Sequence, residues 1–149
     1  MSNQILSIKT FDQLSVEQLY EILKARFGVF VMEQRCFYLD MDDIDYDSFH
    51  IVISESSKVV AYARLFLESS PDVWHIGRVL TTRRREGFGK RVMMAAIDKA
   101  RQMGATMINI DAQVHATEFY EQLGFVVCSE PFYEAEILHV KMQLPLPKA

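Results

Sequence analysis

The sequence predicts a mixed α/β fold of the α+β kind, with a central mixed, mostly antiparallel sheet and one parallel βαβ unit. Three observations predict it. Between His50 and Thr81 three apolar runs follow one another across short turns, the pattern of antiparallel hairpins. A basic, glycine-containing stretch, Arg83 to Arg91, then joins the last of these runs to a helix-like run, Val92 to Met103. A further apolar run, Thr106 to Ala112, follows that helix, and two strands separated by a helix pack as parallel neighbours.

Each element has its own signal. Ile5 to Lys9 alternates apolar and polar residues and reads as a first strand. Ser15-Val16-Glu17-Gln18 reads as a capping box, with Ser15 as N-cap and Gln18 reaching back. Leu19, Ile22, Leu23, Phe27, Phe30 and Val31 recur at helical spacing, so a helix of about four turns is expected to bury that face, at a mild cost from Gly28. The aspartates at 40, 42, 43, 45 and 47 read first as a solvated loop. A calcium loop fails on spacing, since a start at Asp43 puts Ser48 at the glycine position and Ser54 at the twelfth. An acidic rim that draws in an amine is the other reading. His50 to Ser54 and Val59 to Leu67 form a hairpin around Glu55-Ser56-Ser57-Lys58, and Ser69-Ser70-Pro71-Asp72 turns into a third strand, Val73 to Thr81. Val92, Met93, Ala96, Ile97 and Ala100 make the apolar stripe of the next helix, and Gly104 stops it. Ala116 to Leu123 reads as a short helix stopped by Gly124. Phe125 to Cys128 and Ile137 to Leu144 read as closing strands around Pro131, with Pro145 and Pro147 ending the fold.

The 149 residues suffice for one domain with a core, and no repeat or linker divides them, so 1–149 is expected to be a single domain. No apolar run approaches the ~18 residues of a membrane helix, and the start lacks signal-peptide features, so a cytoplasmic protein without membrane contact is expected. Cys36 and Cys128 form no CxxC pair and are expected as reduced thiols. His50, His75 and His115 show no metal-ligand spacing, so no metal is expected.

The chemistry starts at Arg83 to Arg91. Five cations and one anion give these nine residues a net +4 in a chain of −4, so the remainder carries −8. That acidic remainder and the single compact patch argue against nucleic-acid binding. Cations at a helix N-terminus oppose the macrodipole unless an anion sits there too, and phosphate is the obvious one. Gly87 and Gly89 let the backbone approach closely. A Walker A loop is excluded, because Gly89-Lys90 is followed by Arg91 and its first glycine position is Arg84. A dinucleotide fingerprint lacks its third glycine, at Val92, although Asp111 lies at the right distance for a ribose; a dinucleotide-binding protein stays as a lesser alternative. The third type is R-x-x-G-x-G, met as Arg84-Arg85-Glu86-Gly87-Phe88-Gly89.

With that loop, and with Ala116-Thr117-Glu118-Phe119-Tyr120-Glu121-Gln122-Leu123-Gly124-Phe125 downstream, the chain resembles the GCN5-related N-acetyltransferases (GNAT). Leu19-Tyr20, Phe30-Val31-Met32-Glu33-Gln34, Cys36, Ile76-Gly77-Arg78-Val79, Ala112-Gln113 and His139 with Met142 resemble the ElaA-like branch, so the resemblance runs from about Leu19 to Met142. The segment between Arg78 and Arg84 is shorter than that branch leads one to expect and lacks its proline. Glu134-Ala135-Glu136-Ile137-Leu138 stands where the branch often has Asp-Gly-Ile-Pro.

The resemblance implies the GNAT fold and direct acetyl transfer from acetyl-coenzyme A to a primary amine. It implies that backbone N–H groups from Arg85 to Lys90, with Arg84, Glu86, Gly87, Phe88 and Gly89 in the loop, hold the pyrophosphate, with Lys90 or Arg91 supplying charge. Backbone N–H groups of Val79, Leu80 and Thr81 become the oxyanion donors. Tyr120 matches the tyrosine that gives a proton to the departing thiolate. Gln113 stands where many relatives bind pantetheine amides through asparagine. Glu33 and His139 are the candidate bases, against the plainer readings of a structural ion pair and a satisfied core histidine. The acceptor, a small-molecule amine or a protein amine, is left open. The family also pairs end strands between subunits, so a homodimer is one of the states the resemblance allows. A coenzyme A-binding module without turnover is the alternative from another class.

Overall fold

The structure, a computed structural model, describes residues 3–147. Its frame is one eight-stranded sheet. The strands are β1 (Gln4–Thr10), β2 (Phe49–Glu55), β3 (Lys58–Ser69), β4 (Val73–Thr81), β5 (Met107–Gln113), β6 (Val126–Val127), β7 (Phe132–Glu134) and β8 (Ile137–Pro145). They lie in the order β1-β2-β3-β4-β5-β8-β6, and β7 pairs with β8. Every pairing is antiparallel except β4 with β5, which is parallel as the intervening helix requires. The fold is therefore the mixed, mostly antiparallel α+β arrangement that the sequence predicts. The short β7 is an addition to it. Its hairpin with β8 turns at Ala135 and Glu136, both left-handed, at φ 50° and 65°.

Helix α2 (Phe88–Gln102) covers one face of the sheet. Val92, Met93, Ala96, Ile97 and Ala100 are all buried, as their spacing predicts, against Ile51, Ile53, Ala63, Leu65, Trp74, Ile76, Ile108 and Ile110. The other face carries a smaller core in which Ile22 and Val29 meet Val52, Val59, Tyr62 and Leu80. Helix α3 (Thr117–Gln122) packs Phe119 and Tyr120 against the larger core. Among the described residues no helix is long and apolar enough to cross a membrane. Cys36 and Cys128 are free thiols.

The first helix departs from expectation. Its capping box forms: Ser15 Oγ accepts from the Gln18 N–H at 3.0 Å, and Gln18 Oε1 accepts from the Ser15 N–H at 2.9 Å. However, α1 (Val16–Arg26) is α-helical for only 11 residues, and Phe27–Glu33 continues as a π-helix. The wider winding rotates part of the face that the 3.6 period predicts, so Phe27 is 53% exposed and Val29 is buried instead, while Ile22 and Val31 are buried as expected.

The larger correction concerns the aspartates. The segment from 40 to 47 is a solvated loop only in part: Asp42, Asp43 and Asp47 are exposed, but Asp40 and Asp45 are buried. Arg26, with no exposed surface, donates from Nε to Asp40 Oδ2 at 2.8 Å and from Nη1 to Asp45 Oδ1 at 2.6 Å. Arg64 donates to Asp45 Oδ1 at 3.0 Å and grips both oxygens of Asp42, at 2.8 and 2.6 Å. Arg78 reaches Asp40 from β4. Three arginines thus face three aspartates, and these charges cannot serve as a free acidic rim. His50 sits beside this set; its Nε2–H donates to the Asp45 carbonyl at 2.9 Å, and its Nδ1 accepts from the Tyr62 hydroxyl at 2.6 Å. Burial holds His50 below its usual range, so it stays neutral.

Two outcomes follow from the network. Arg26→Met leaves two buried carboxylates short of their partner and should cost about 3–5 kcal/mol in urea unfolding, against about 1 kcal/mol for the exposed cap in Ser15→Ala. Burial raises the Asp42 carboxyl, but the Arg64 hydrogen bonds and the Arg64 and Arg78 charges outweigh it and hold the group at about 2, against 3.8 when free. A depressed carboxyl gives stability that is complete above 3.8 and is lost as pH falls to about 2. Thermal melts of Asp42→Asn should lose that part of the acid sensitivity.

Candidate active site

β4 and β5 pair only from Val73–Met107 to His75–Asn109. Beyond His75 they part, and the β4 edge from Ile76 to Thr81 faces a gap rather than a strand. A cleft of about 1020 Å³ opens there. A β-bulge in β4 shapes its wall. Gly77 pairs with Arg64 and Leu80 with Tyr62, so Ala63 alone opposes both Arg78 and Val79. The extra residue inverts the side-chain alternation. Ile76 packs under α2, whereas Leu80 packs in the smaller core on the other face. Thr82 donates its N–H to the Val60 carbonyl across β3 at 3.0 Å. Alternation along the strand therefore turns the Leu80 N–H toward β3 and the Thr81 N–H toward the cleft.

The glycine loop closes one end. Arg85 and Gly87 are left-handed, at φ 61° and 77°. A Cβ on Gly87 would meet nothing within 4 Å, so the backbone angle, not space, calls for glycine there. At Gly89 a Cβ would touch Phe119 at 3.4 Å and the Thr81 methyl at 3.5 Å. The first α2 bond runs from the Arg91 N–H to the Gly87 carbonyl at 3.2 Å, which leaves the N–H groups of Phe88, Gly89 and Lys90 without intrahelical partners. The cations divide into two sets. Arg83 is bonded to Glu55 at 3.1 and 2.9 Å, Arg84 is paired with Glu33, and Arg91 turns away to Gln4 at 2.8 Å. Among the described residues, the Arg85 and Lys90 side chains have no partner, and both line the cleft. Arg91 itself lies outside the cleft wall. Glu86 lies outside the cleft wall, 3.6 Å from Arg83.

Tyr120 lines the same cleft from α3, half-buried and edge-on to Phe119 and Phe125 at ring distances of 5.0 and 6.1 Å. Burial pushes its hydroxyl up to about 12, so it remains a donor at neutral pH. Among the described residues the hydroxyl has no hydrogen-bond partner. His139, on β8 opposite Gln113, also lines the cleft and is 9% exposed. Its Nδ1 lies 2.7 Å from the Ile137 carbonyl, which can only accept, so Nδ1 carries the proton. In the neutral ring Nε2 then holds the lone pair. Phe132 stacks on the ring at 5.9 Å and fixes its plane. Glu33 differs: it is exposed and paired with Arg84, the plainer of its two readings.

Gln113 is engaged on both sides. It exchanges hydrogen bonds with Gln34 at 3.4 and 3.2 Å and accepts from His115 Nε2 at 2.6 Å. Asp111, the residue of the dinucleotide alternative, pairs with Lys141 at 3.3 Å. Sequence reasoning gave no role to Gln34, Arg64 or Arg78, all of which line the cleft. One signal was available: Arg26 stands four residues after Ile22 on the apolar stripe, and a charge there must find a partner. Among the described residues no group of three or more His, Cys, Asp or Glu could hold a metal.

The chain matches the family model described as "Acetyltransferase (GNAT) domain" over residues 9–146. It is similar to a UPF0039 protein of Schizosaccharomyces pombe, 36% identical over 98% of this chain and 100% of that one. It is similar to protein ElaA of Escherichia coli, 36% identical over 87% of this chain and 89% of that one. Among solved structures, that of Escherichia coli ElaA matches with a TM-score of 0.88 at 30% identity, over 95% of this chain and 99% of that one. An acyl-CoA N-acyltransferase from Pseudomonas aeruginosa matches with a TM-score of 0.88 at 29% identity, over the same shares. A cleft built on parted parallel strands and a glycine loop, in a chain matched along nearly its whole length, belongs to a GNAT-family acyltransferase homologous to ElaA.

Proposed function

We propose that this chain is an acetyl-coenzyme A-dependent N-acetyltransferase, one domain over 1–149, that moves an acetyl group directly from the thioester to a primary amine. The observation that carries the reading is that the unpartnered N–H groups at the start of α2 and the Tyr120 hydroxyl open on one cleft, where β4 leaves β5. The loop suits a diphosphate. Left-handed Arg85 and Gly87 turn the backbone at the helix start, and Arg85 and Lys90 bring charge that is not already spent. When bound, acetyl-coenzyme A supplies the activated acyl group; the chain's residues then hold it and handle protons.

The Thr81 N–H is the favoured oxyanion donor, because it faces the cleft while Leu80 is turned to β3. Tyr120 donates a hydrogen bond to the sulfur as negative charge develops there. Full proton transfer from a group near 12 to a thiolate whose acid lies near ~8.5 is uphill by roughly 4–5 kcal/mol, so stabilisation by the hydrogen bond, not delivery of the proton, is its favourable role. His139 is preferred over Glu33 as the base. Its Nε2 lone pair is oriented by the Nδ1–H bond to Ile137, whereas Glu33 is held by Arg84. A small-molecule amine and a protein lysine both remain compatible acceptors.

A thioester-release assay over a panel of primary amines tests turnover directly. Gly87→Glu puts a carboxylate and a strained backbone angle at the phosphate end, and it should abolish the heat of coenzyme A binding in calorimetry. Tyr120→Phe should lower kcat about 10²-fold and leave coenzyme A affinity within about twofold; an unchanged rate favours a binding module without turnover. Long-range ¹H–¹⁵N spectra should find neutral His139 protonated at Nδ1, and His139→Gln should lower kcat about 10²-fold while coenzyme A affinity stays within about twofold.

A further inference from the structure

We infer that Arg78 is a positioning residue for the acyl transfer proposed above: its guanidinium clamps the β4 bulge to Asp40 and so aims the free edge of β4 into the cleft. Among the described residues with positive φ other than glycine, Arg78, at φ 51°, is the one inside a strand; Arg35, Asp43, Ser56, Ser57, Arg85, Ala135 and Glu136 all lie in turns or loops. A left-handed angle at a residue with a side chain is unfavourable and persists only where surrounding contacts impose it. Here the contacts are explicit. Arg78 Nε lies 2.8 Å from Asp40 Oδ1, and Nη2 donates to the Asp40 carbonyl at 2.9 Å. The guanidinium also reaches Asp42 at 3.4 Å and lies over the Tyr38 ring at 5.6 Å.

Asp40 can bear this load because it is fixed from behind. Arg26 holds its other carboxylate oxygen at 2.8 Å and its carbonyl at 3.1 Å. One buried aspartate is thus gripped by two arginines, one from α1 and one from the bulge. The bulge directly precedes Val79 to Thr81, the stretch whose edge faces the gap. Without the clamp, β4 is free to return to regular pairing with β3. Regular alternation would then move Leu80 out of its core and turn the Thr81 N–H away from the cleft.

The inference rests on the acetyltransferase reading, and the experiment separates the two. Arg78→Gly keeps the left-handed angle at no steric cost, so any loss it causes reports the missing guanidinium and not backbone strain. Arg78→Lys keeps charge without the fork. Acetyl transfer to butylamine, putrescine and Nα-acetyl-lysine, calorimetry with coenzyme A, and the ¹H–¹⁵N shift of the Thr81 amide on adding acetyl-coenzyme A are measured on all three proteins. Arg78→Gly is expected to lower kcat at least tenfold and to suppress the Thr81 shift seen in the wild type. Affinity for coenzyme A should stay within twofold, since residues 84–90 are untouched, and Arg78→Lys should fall between. Wild-type kcat and an unaltered Thr81 shift in Arg78→Gly overturn the clamp alone, as does an equal loss in coenzyme A affinity. A wild type that gives no heat with coenzyme A and no turnover takes the acetyltransferase reading down, and the clamp with it.

Discussion

A guanidinium cut off from water dictates much of this structure. Arg26 sits on the inner face of α1 with no exposed surface, and an isolated charge there would cost far more than a small domain has in reserve. It must therefore be met by carboxylates, and the chain supplies them from the segment that follows the π-helix. Buried pairs of this kind often add little net stability, since desolvation offsets most of the attraction. Their effect is geometric. Arg26 fixes Asp40 and Asp45, Asp45 and Asp42 fix Arg64 on β3, and Asp40 fixes Arg78 on β4. A segment without regular strand pairing is thereby locked against the strands that bound the cleft.

The same pairing sorts the charges. The three arginines of the network are matched by three aspartates, so this wall of the cleft is strongly polar but nearly neutral. At the other end Arg83 and Arg84 are matched by Glu55 and Glu33. Arg85 and Lys90 are left over, beside a helix start that already favours an anion. The net +4 of this stretch overstates what a ligand meets, because much of it is answered within the chain. The remaining positive field is local, which suits a diphosphate better than an extended polyanion.

How much was legible follows from the range of each interaction. The capping box, the α2 stripe and the parallel placement of β4 and β5 depend on neighbours in sequence or on chain connectivity, and all three could be read directly. The loop and Tyr120 were legible as a pair of motifs, and both prove to open on one cleft. The π-helix was not, because the apolar spacing of Phe27, Phe30 and Val31 fits an α-helix equally well, and only tertiary contacts decide the winding. Nor was the fate of the aspartates: five acids in eight residues look solvated until a buried arginine 14 residues earlier claims Asp40. The β4 bulge was hidden for a similar reason. Nothing in Ile76-Gly77-Arg78-Val79 signals an extra residue in the strand, since the mismatch exists only against β3.

The cysteines bear on whether transfer is direct. An acyl-enzyme route needs a thiolate in the cleft with a base to form it. Cys36 does line the cleft, but its thiol is committed as a donor to the Ala135 carbonyl, which ties the end of the π-helical segment to the β7–β8 hairpin. Cys128 is exposed beside Lys141, outside the wall that holds Tyr120 and His139. Of the rings on the cleft, His75 donates to Glu68, His115 to Gln113 and His139 to its own strand, and among the described residues none of the three makes a hydrogen bond to either sulfur. In the transfer proposed above, the groups suited to proton handling would meet an incoming amine and a departing sulfur rather than a nucleophile of the chain. That arrangement fits a single displacement at the acyl carbon.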